Sequence, residues 1–231
     1  MGARLCELAS RDEAFDLVAA AERADSPAIG TASASHAPKC EIANEINTFA
    51  DVVVDFSTDH AVDSALTLAN RSRAALLIGT TGLSRDTIDR LHKAADARPV
   101  MIAPNTSLGV AVVARAAAMI AKALGQGYEC GLVEFHHKHK KDAPSGTAKR
   151  LAEAVRHAGA TLRDDHIAAI RGGDVIGEHT IRFAGAGEYI EITHRATSRD
   201  LFVLGALRAA RWLSAQPPGL WTIEDSLRLP A

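Results

Sequence analysis

The sequence predicts an α/β fold, with a parallel-sheet domain first and a smaller α+β domain after it. Three observations carry this reading. In residues 1–106, unbroken apolar runs alternate with stretches of helical periodicity, the pattern of a parallel sheet covered on both faces. From residue 107 the order changes to helix, strand, helix and then paired strands. Small and polar residues stand at successive strand ends in the first half, where open parallel sheets bind their ligands.

The elements follow in order. The chain opens Met1-Gly2-Ala3-Arg4-Leu5 and passes directly into a helix. Strands are expected at residues 16–21, 52–56, 74–78 and 100–103, each rich in Val, Ile, Leu or Ala, with helices at 61–69 and 84–97. The strand tips carry Glu22-Arg23, Ser57-Thr58, Gly79-Thr80-Thr81 and Asn105-Thr106. Any one of these is ordinary turn chemistry. Four in series describe a dinucleotide trough, so the first domain reads as Rossmann-like. In the second half, residues 109–124 read as a helix and 131–135 as a strand. A helix follows from Ser145, then strands at 166–170, 178–183 and 188–195, and Gly185-Ala186-Gly187 turns the last two into an antiparallel hairpin. A helix at 201–214, the turn Pro217-Pro218-Gly219 and residues 220–229 return to the first domain. The boundaries read 1–106, 107–205 and 206–231.

Composition narrows the function. A formal net charge of −2 gives no general basic footprint for nucleic acid, so any anion must be held by local charge. Cys6, Cys40 and Cys130 are scattered and odd in number, which fits a reducing cytoplasm and no disulfide framework. The longest apolar stretch, residues 108–124, contains Arg115 and Lys122 and reads as a buried helix, not a membrane span. No secretory signal is visible at the start.

The most informative segment is Glu134-Phe135-His136-His137-Lys138-His139-Lys140-Lys141-Asp142-Ala143-Pro144-Ser145-Gly146-Thr147-Ala148. It combines proton donors, fixed positive charge and a helix start. Pro144 presets φ for a first helical turn, and Ser145, Gly146 and Thr147 present backbone N–H groups that an anion can accept. Gly146 allows a ligand close to the backbone. Apolar Ala148, Leu151, Ala152 and Val155 then mark one helix face. An enzyme that binds a small dianion and protonates it needs these parts together. A solvated basic face is the plain alternative, and the adjoining anion-ready helix start argues against it. A metal site of His136, His137, His139 and Cys130 lacks ligand spacing, and the interleaved lysines repel a cation, so no metal is expected. His179 and His194 each lie in a strand and read as packed side chains.

This segment closely resembles the signature of the dihydrodipicolinate reductase family. Further blocks resemble the family in family order: Ile78-Gly79-Thr80-Thr81-Gly82, Ala103-Pro104-Asn105-Thr106-Ser107-Leu108-Gly109-Val110, Arg171-Gly172-Gly173-Asp174 with the residues up to Thr180, and Thr193-His194-Arg195-Ala196-Thr197-Ser198-Arg199. The resemblance covers nearly the whole chain. It implies reduction of a cyclic imine dicarboxylate, 4-hydroxy-tetrahydrodipicolinate, by NADH or NADPH in lysine and diaminopimelate biosynthesis. It implies a cytoplasmic homotetramer built through the open sheet of the second domain, with no nucleic-acid or membrane partner. His136 and Lys140 would be the proton-donating pair. His137, Lys140, Ser145, Gly146 and Thr147 would bind substrate. Met1, Glu22, Arg23, Gly79, Thr80, Thr81, Ala103, Pro104, Asn105, Thr106 and Arg199 would bind the cofactor, with Glu22 on a ribose and Arg23 on the extra phosphate of NADPH.

Three departures accompany the resemblance. The family opens with a strand and a Gly-rich turn, and Met1-Gly2 aligns with the end of that turn. The chain is therefore expected to bind NADH and NADPH poorly, and a shortened, non-catalytic family member that assembles without cofactor is the alternative reading. Thr106 stands where the family often has a larger side chain, and the segment between Gly159 and Arg171 is shorter than usual.

Overall fold

The computed structural model describes residues 1–227. The chain divides into two compact units, one of Met1–Thr106 together with the chain from Phe202 onward, the other of Ser107–Leu201. Residues 228 and 229 of the segment expected to return to the first unit lie outside the described residues.

The first unit contains α1 (Gly2–Ala9), β1 (Ala20–Ala21), β2 (Ile42–Ala43), β3 (Val52–Asp55), α2 (Val62–Ser72), β4 (Ala75–Ile78), α3 (Arg85–Ala94) and β5 (Pro99–Ile102). Its main sheet is parallel, and β4, the most apolar strand, is buried along its whole length. Val53, Leu76, Ile78 and Val100 pack there with Val62 and Ala69 of α2 and Leu91 of α3. Ser84 starts α3 by accepting the Thr87 N–H on its hydroxyl, 3.3 Å away.

The expected strand over residues 16–21 shrinks to Ala20–Ala21. It pairs in parallel with β2, in a sheet separate from the main one among the described residues. A ladder of two residues with a partner on one side leaves residues 16–19 irregular despite their apolar run. Tertiary pairing, not propensity, sets strand length here.

The second unit contains α4 (Leu108–Leu124), β6 (Glu129–His136), α5 (Gly146–His157), β7 (Ile167–Arg171), β8 (Gly177–Gly185) and β9 (Glu188–Ala196). Its sheet runs β7-β6-β8-β9, with β7 parallel to β6 and the others antiparallel. The hairpin expected at Gly185-Ala186-Gly187 forms, with Gly187 at φ +84°. One face of the sheet is closed by α4 and α5: Cys130, Leu132, Ile181 and Phe183 pack with Val110, Ala114, Ala117, Leu151 and Val155. By length and composition alone, Leu108–Gly127 could cross a membrane. In the fold it is the core helix of this unit, with Val110, Ala114, Ala117 and Ala121 buried.

The chain then forms α6 (Asp200–Leu213), most of which belongs to the first unit, and β10 (Gly219–Trp221). β10 joins the main sheet in parallel beside β5, giving the order β10-β5-β4-β3. Val203 and Leu207 of α6 cover Leu5, Leu8 and Ala9 of α1.

Candidate active site

Strand β6 builds the centre of the site. Its residues alternate strictly, so Cys130, Leu132, Glu134 and His136 all face the closed side. The first two complete the apolar core. The last two place a carboxyl and an imidazole at the carboxyl end of the strand, both buried. The neighbouring strands add to the same rows: His179 of β8 stands opposite Glu134, and Arg171 of β7 opposite His136.

Glu134 is fully buried and holds the group together. Its Oε1 accepts the Ser145 N–H (3.0 Å) and an Arg171 guanidinium N–H (2.9 Å). Its Oε2 lies 3.2 Å from His136 Nδ1 and 3.6 Å from His179 Nε2. Burial alone would raise the Glu134 pKa, but the hydrogen bonds from Ser145 and Arg171 outweigh it and hold the carboxyl below its ordinary value. Glu134 is therefore an anion.

The two histidines answer to burial first. Burial lowers the His136 pKa; Glu134 opposes that shift, and Lys140 and Arg171 add to it. Repulsion by Lys140 is present but secondary. His179 is pushed down to about 4 by burial and by His136, so it is neutral in the folded protein near pH 7. The consequence has a definite sign. Between the ordinary value of 6.5 and about 4, the unfolded chain binds a proton that folded His179 refuses. Stability therefore rises with pH across that window, by roughly 3 kcal/mol. Urea titrations at pH 4 and pH 7 check this, and a His179→Gln variant should show a flatter dependence.

The helix start differs from the expected one in two respects. Pro144 lies outside the first helical turn, and Ser145 is the N-cap, with Oγ accepting the Ala148 N–H at 3.1 Å. The Ser145 N–H is not available to a ligand, because it donates to Glu134. Gly146 is exposed, with no atom within 4 Å of where a side chain would stand. Thr147 is half-buried beside it in the first turn.

The basic loop is tethered to the segment after β7. The Lys138 N–H donates to the Gly173 carbonyl (3.2 Å), and the Arg171 guanidinium donates to the carbonyls of Lys140 (3.3 Å) and Asp142 (2.5 Å). Lys140 Nζ pairs with Asp142 Oδ1 at 2.8 Å and depresses the Asp142 pKa. His137 is half-buried, its ring centroid 6.3 Å from that of exposed His139.

The weighed metal set does not assemble. Cys130 lies six residues before His136 on the same extended strand, and burial pushes its thiol up to about 11, away from the thiolate a metal needs. Glu134, His136 and His179 do bring donor atoms within 4.8 Å of one another. Arg171 already occupies this carboxylate, and positive Lys140 acts on the same ring, so the donor set suits a shared proton better than a divalent cation.

In the first unit, Gly79-Thr80-Thr81 and Ala103-Pro104-Asn105-Thr106 follow β4 and β5 at the carboxyl edge of the parallel sheet. The edge is tightly braced. Thr80 Oγ1 donates to Asp55 and accepts the Ser57 N–H (2.8 Å), and the Ala103 N–H donates to the Ile78 carbonyl (2.8 Å). A Cβ on Gly79 would fall 2.1 Å from the Phe56 ring, so any larger residue would have to displace that ring. Thr106 is buried and donates its hydroxyl to the Phe202 carbonyl at 2.6 Å. Glu22 follows β1, its N–H on the Ala43 carbonyl (3.0 Å), and exposed Arg23 pairs with Asp25. Met1 is exposed at the start of α1, and Arg199, in the second unit, is exposed just before α6.

Glu134, Arg171 and His179 were not singled out from the sequence for roles in the site. A signal existed for the first: Glu134 and His136 are two apart on a strand, hence on one face, and a buried carboxylate needs a partner. Arg171 and His179 reach the cluster only through strand pairing.

Comparison with known proteins agrees with this architecture. Family models described as "Dihydrodipicolinate reductase, N-terminus" and "Dihydrodipicolinate reductase, C-terminus" match residues 1–106 and 109–227. A protein named 4-hydroxy-tetrahydrodipicolinate reductase from Anaeromyxobacter dehalogenans (strain 2CP-1) is 39% identical over 99% of this chain and 94% of its own. One of the same name from Campylobacter curvus is 46% identical over 80% of each. A solved dipicolinate-bound dihydrodipicolinate reductase from Paenisporosarcina sp. TG-14 superposes with a TM-score of 0.66 over 77% of this chain and 74% of its own, at 23% identity, a likeness of fold.

Proposed function

Because the chain belongs to the dihydrodipicolinate reductase family, we propose that His136 and its buried partners, with the start of α5, form its imine-reducing site. The chain is an oxidoreductase that reduces 4-hydroxy-tetrahydrodipicolinate with a pyridine nucleotide, in lysine and diaminopimelate biosynthesis. Nothing in the comparisons favours the non-catalytic alternative.

The observation that carries the site assignment is the junction at Ser145. One carboxylate, Glu134, touches both the acid candidate His136 and the N-cap of the helix whose first turn is open at Gly146. An acid and an anion-binding helix start are thereby fixed to each other. Replacing the 4-hydroxyl of the cyclic imine by hydrogen needs a hydride and a proton, with the hydroxyl leaving as water; the nicotinamide, when bound, would supply the hydride. In our reading His136 and Lys140 supply the proton, and His137, Gly146 and Thr147 hold a carboxylate of the cyclic imine by charge-assisted hydrogen bonds. Ser145 acts from behind, as the cap that orients that turn.

The braced carboxyl edge of the first sheet suits the cofactor. Gly79, Thr80, Thr81, Ala103, Pro104, Asn105 and Thr106 would line it, with Glu22 and Arg23 at the tip of β1 and Met1 and Arg199 as further contacts. Exposed Glu22 favours a free ribose hydroxyl and exposed Arg23 a phosphate, so both NADH and NADPH are proposed. The free thiols of Cys6, Cys40 and Cys130 support a cytoplasmic setting. Val133, Ile170 and Tyr189 are exposed on the open face of the second sheet and support a homotetramer through that face, which light scattering in solution tests.

The dianion site is tested at α5. Thr147→Val removes one hydroxyl from a charged carboxylate, a loss of about 1.5–3 kcal/mol, so KM for the dicarboxylate should rise roughly 10- to 100-fold. Gly146→Leu should raise it as well without lowering stability, because the side chain enters open space and suits a helix better. Cofactor affinity should hold in both. Parallel loss of substrate and cofactor affinity would show that the helix start is structural only.

A further inference from the structure

We propose that Glu134 is a positioning residue for this reaction: its carboxylate fixes His136 by Nδ1, so that Nε2 is the nitrogen that gives up the proton. The proposal rests on the reading of His136 as the acid. Its geometry is independent of that reading.

Glu134 Oε2 and His136 Nδ1 are both buried, and neither has a conventional hydrogen-bond partner among the described residues. They stand 3.2 Å apart. Buried polar atoms are costly unless paired, and these two face each other as a close ion-pair contact without the alignment of a straight hydrogen bond. A carboxylate accepts and cannot donate, so the ring form that Glu134 favours is the one with its proton on Nδ1. The other Glu134 oxygen is fully engaged by the Ser145 N–H and Arg171, so the carboxylate cannot turn away. At the far side of the ring, Nε2 lies beside Gly177, where a Cβ would come within 3.0 Å of it. The missing side chain leaves that nitrogen uncrowded.

The proton balance follows. Protonated His136 carries hydrogen on both nitrogens. Loss of the 4-hydroxyl as water gives a C=C conjugated to the imine. Hydride from the nicotinamide would add to that C=C at the carbon that bore the hydroxyl. The Nε2–H bond breaks as its proton goes to the enamine so formed, which returns to the imine. The electron pair stays on Nε2, and neutral His136 remains as the Nδ1–H form that Glu134 holds. An orienting carboxylate behind a histidine serves other enzymes in the same way.

The electrostatic surroundings agree. Burial, Lys140 and Arg171 all disfavour the charged ring, whereas Glu134 and Asp142 favour it. The His179 ring packs edge-on at 5.0 Å and is neutral. Glu134 is therefore the main group keeping His136 protonatable.

Glu134→Gln tests the role, since glutamine keeps the size and still accepts the Ser145 N–H. The expected result is a kcat lower by roughly 10- to 10⁴-fold, from the loss seen for carboxylates behind metal-bound histidines up to that for the amide variant of a triad carboxylate. The basic limb of the kcat–pH profile should move to lower pH, and Kd for NADH should not change. A reduced kcat with an unmoved limb would make Glu134 merely structural and overturn the proposal. Nitrogen NMR of the histidine-labelled wild-type protein provides a test free of any folding defect: neutral His136 should carry hydrogen on Nδ1. Hydrogen on Nε2 would overturn the proposal, as would loss of wild-type activity to a chelator, which would assign the cluster to a cation. A wild-type chain without reductase activity would sink the assignment of the acid, while the NMR result would still decide how Glu134 holds the ring.

Discussion

Replacing His136 by Gln is expected to lower kcat by roughly 10²- to 10⁴-fold, the range for loss of general acid–base catalysis. His136 is only 6% exposed and occupies the carboxyl end of β6. Glutamine approximates its length and can donate toward Glu134, so the fold should survive. It has no acidic proton near neutral pH. Because His136 is none of the cofactor contacts in our reading, Kd for NADH and NADPH should stay as in the wild type. Steady-state kinetics paired with a cofactor titration check both halves of the expectation. A variant with unaltered turnover would remove His136 from the mechanism, and with it the role given to Glu134.

The second large effect is on stability. Arg171→Met should destabilise the protein by about 3–5 kcal/mol, the cost of leaving a buried charge without its partner. The Arg171 side chain is 18% exposed and Glu134 is completely buried, so solvent cannot replace the guanidinium. The same side chain ties the carbonyls of Lys140 and Asp142 to β7, and its loss frees the basic loop. Methionine keeps the aliphatic packing, which separates the charge effect from a cavity effect. Urea denaturation gives the measurement. A double variant, Arg171→Met with Glu134→Gln, should recover part of the loss, because the orphaned charge is then gone. A single variant as stable as the wild type would show that Ser145 alone satisfies Glu134.

The sequence carried much of this fold in local signals. The apolar runs at β3, β4 and β5 are strands, with β4 buried on both faces and β3 and β5 partly so, and their helices sit where periodicity placed them. Ser84, Ser107 and Ser145 each cap a helix through their own hydroxyl, a chemistry confined to a few neighbouring residues. Residues 16–19 share the apolar run of β1 but find no partner strand, and only Ala20 and Ala21 form a ladder.

What the sequence determined by itself was therefore the class of fold, the family, and the short segment where acid, positive charge and helix start follow one another. Those features lie within some fifteen consecutive residues, Glu134 to Ala148, and local chemistry suffices to read them. What only the tertiary structure decided was the electrostatic state of the site. Arg171 and His179 lie 37 and 45 positions from Glu134 in the chain, by subtraction of their numbers, and meet it because β7 and β8 flank β6 in one register. Burial then turns that meeting into chemistry. Arg171 and the Ser145 N–H ionise Glu134 against the effect of burial, while burial keeps His179 neutral and leaves His136 Nδ1 with one carboxylate to answer to. Strand register and desolvation are properties of the folded sheet, and no window of the sequence contains them.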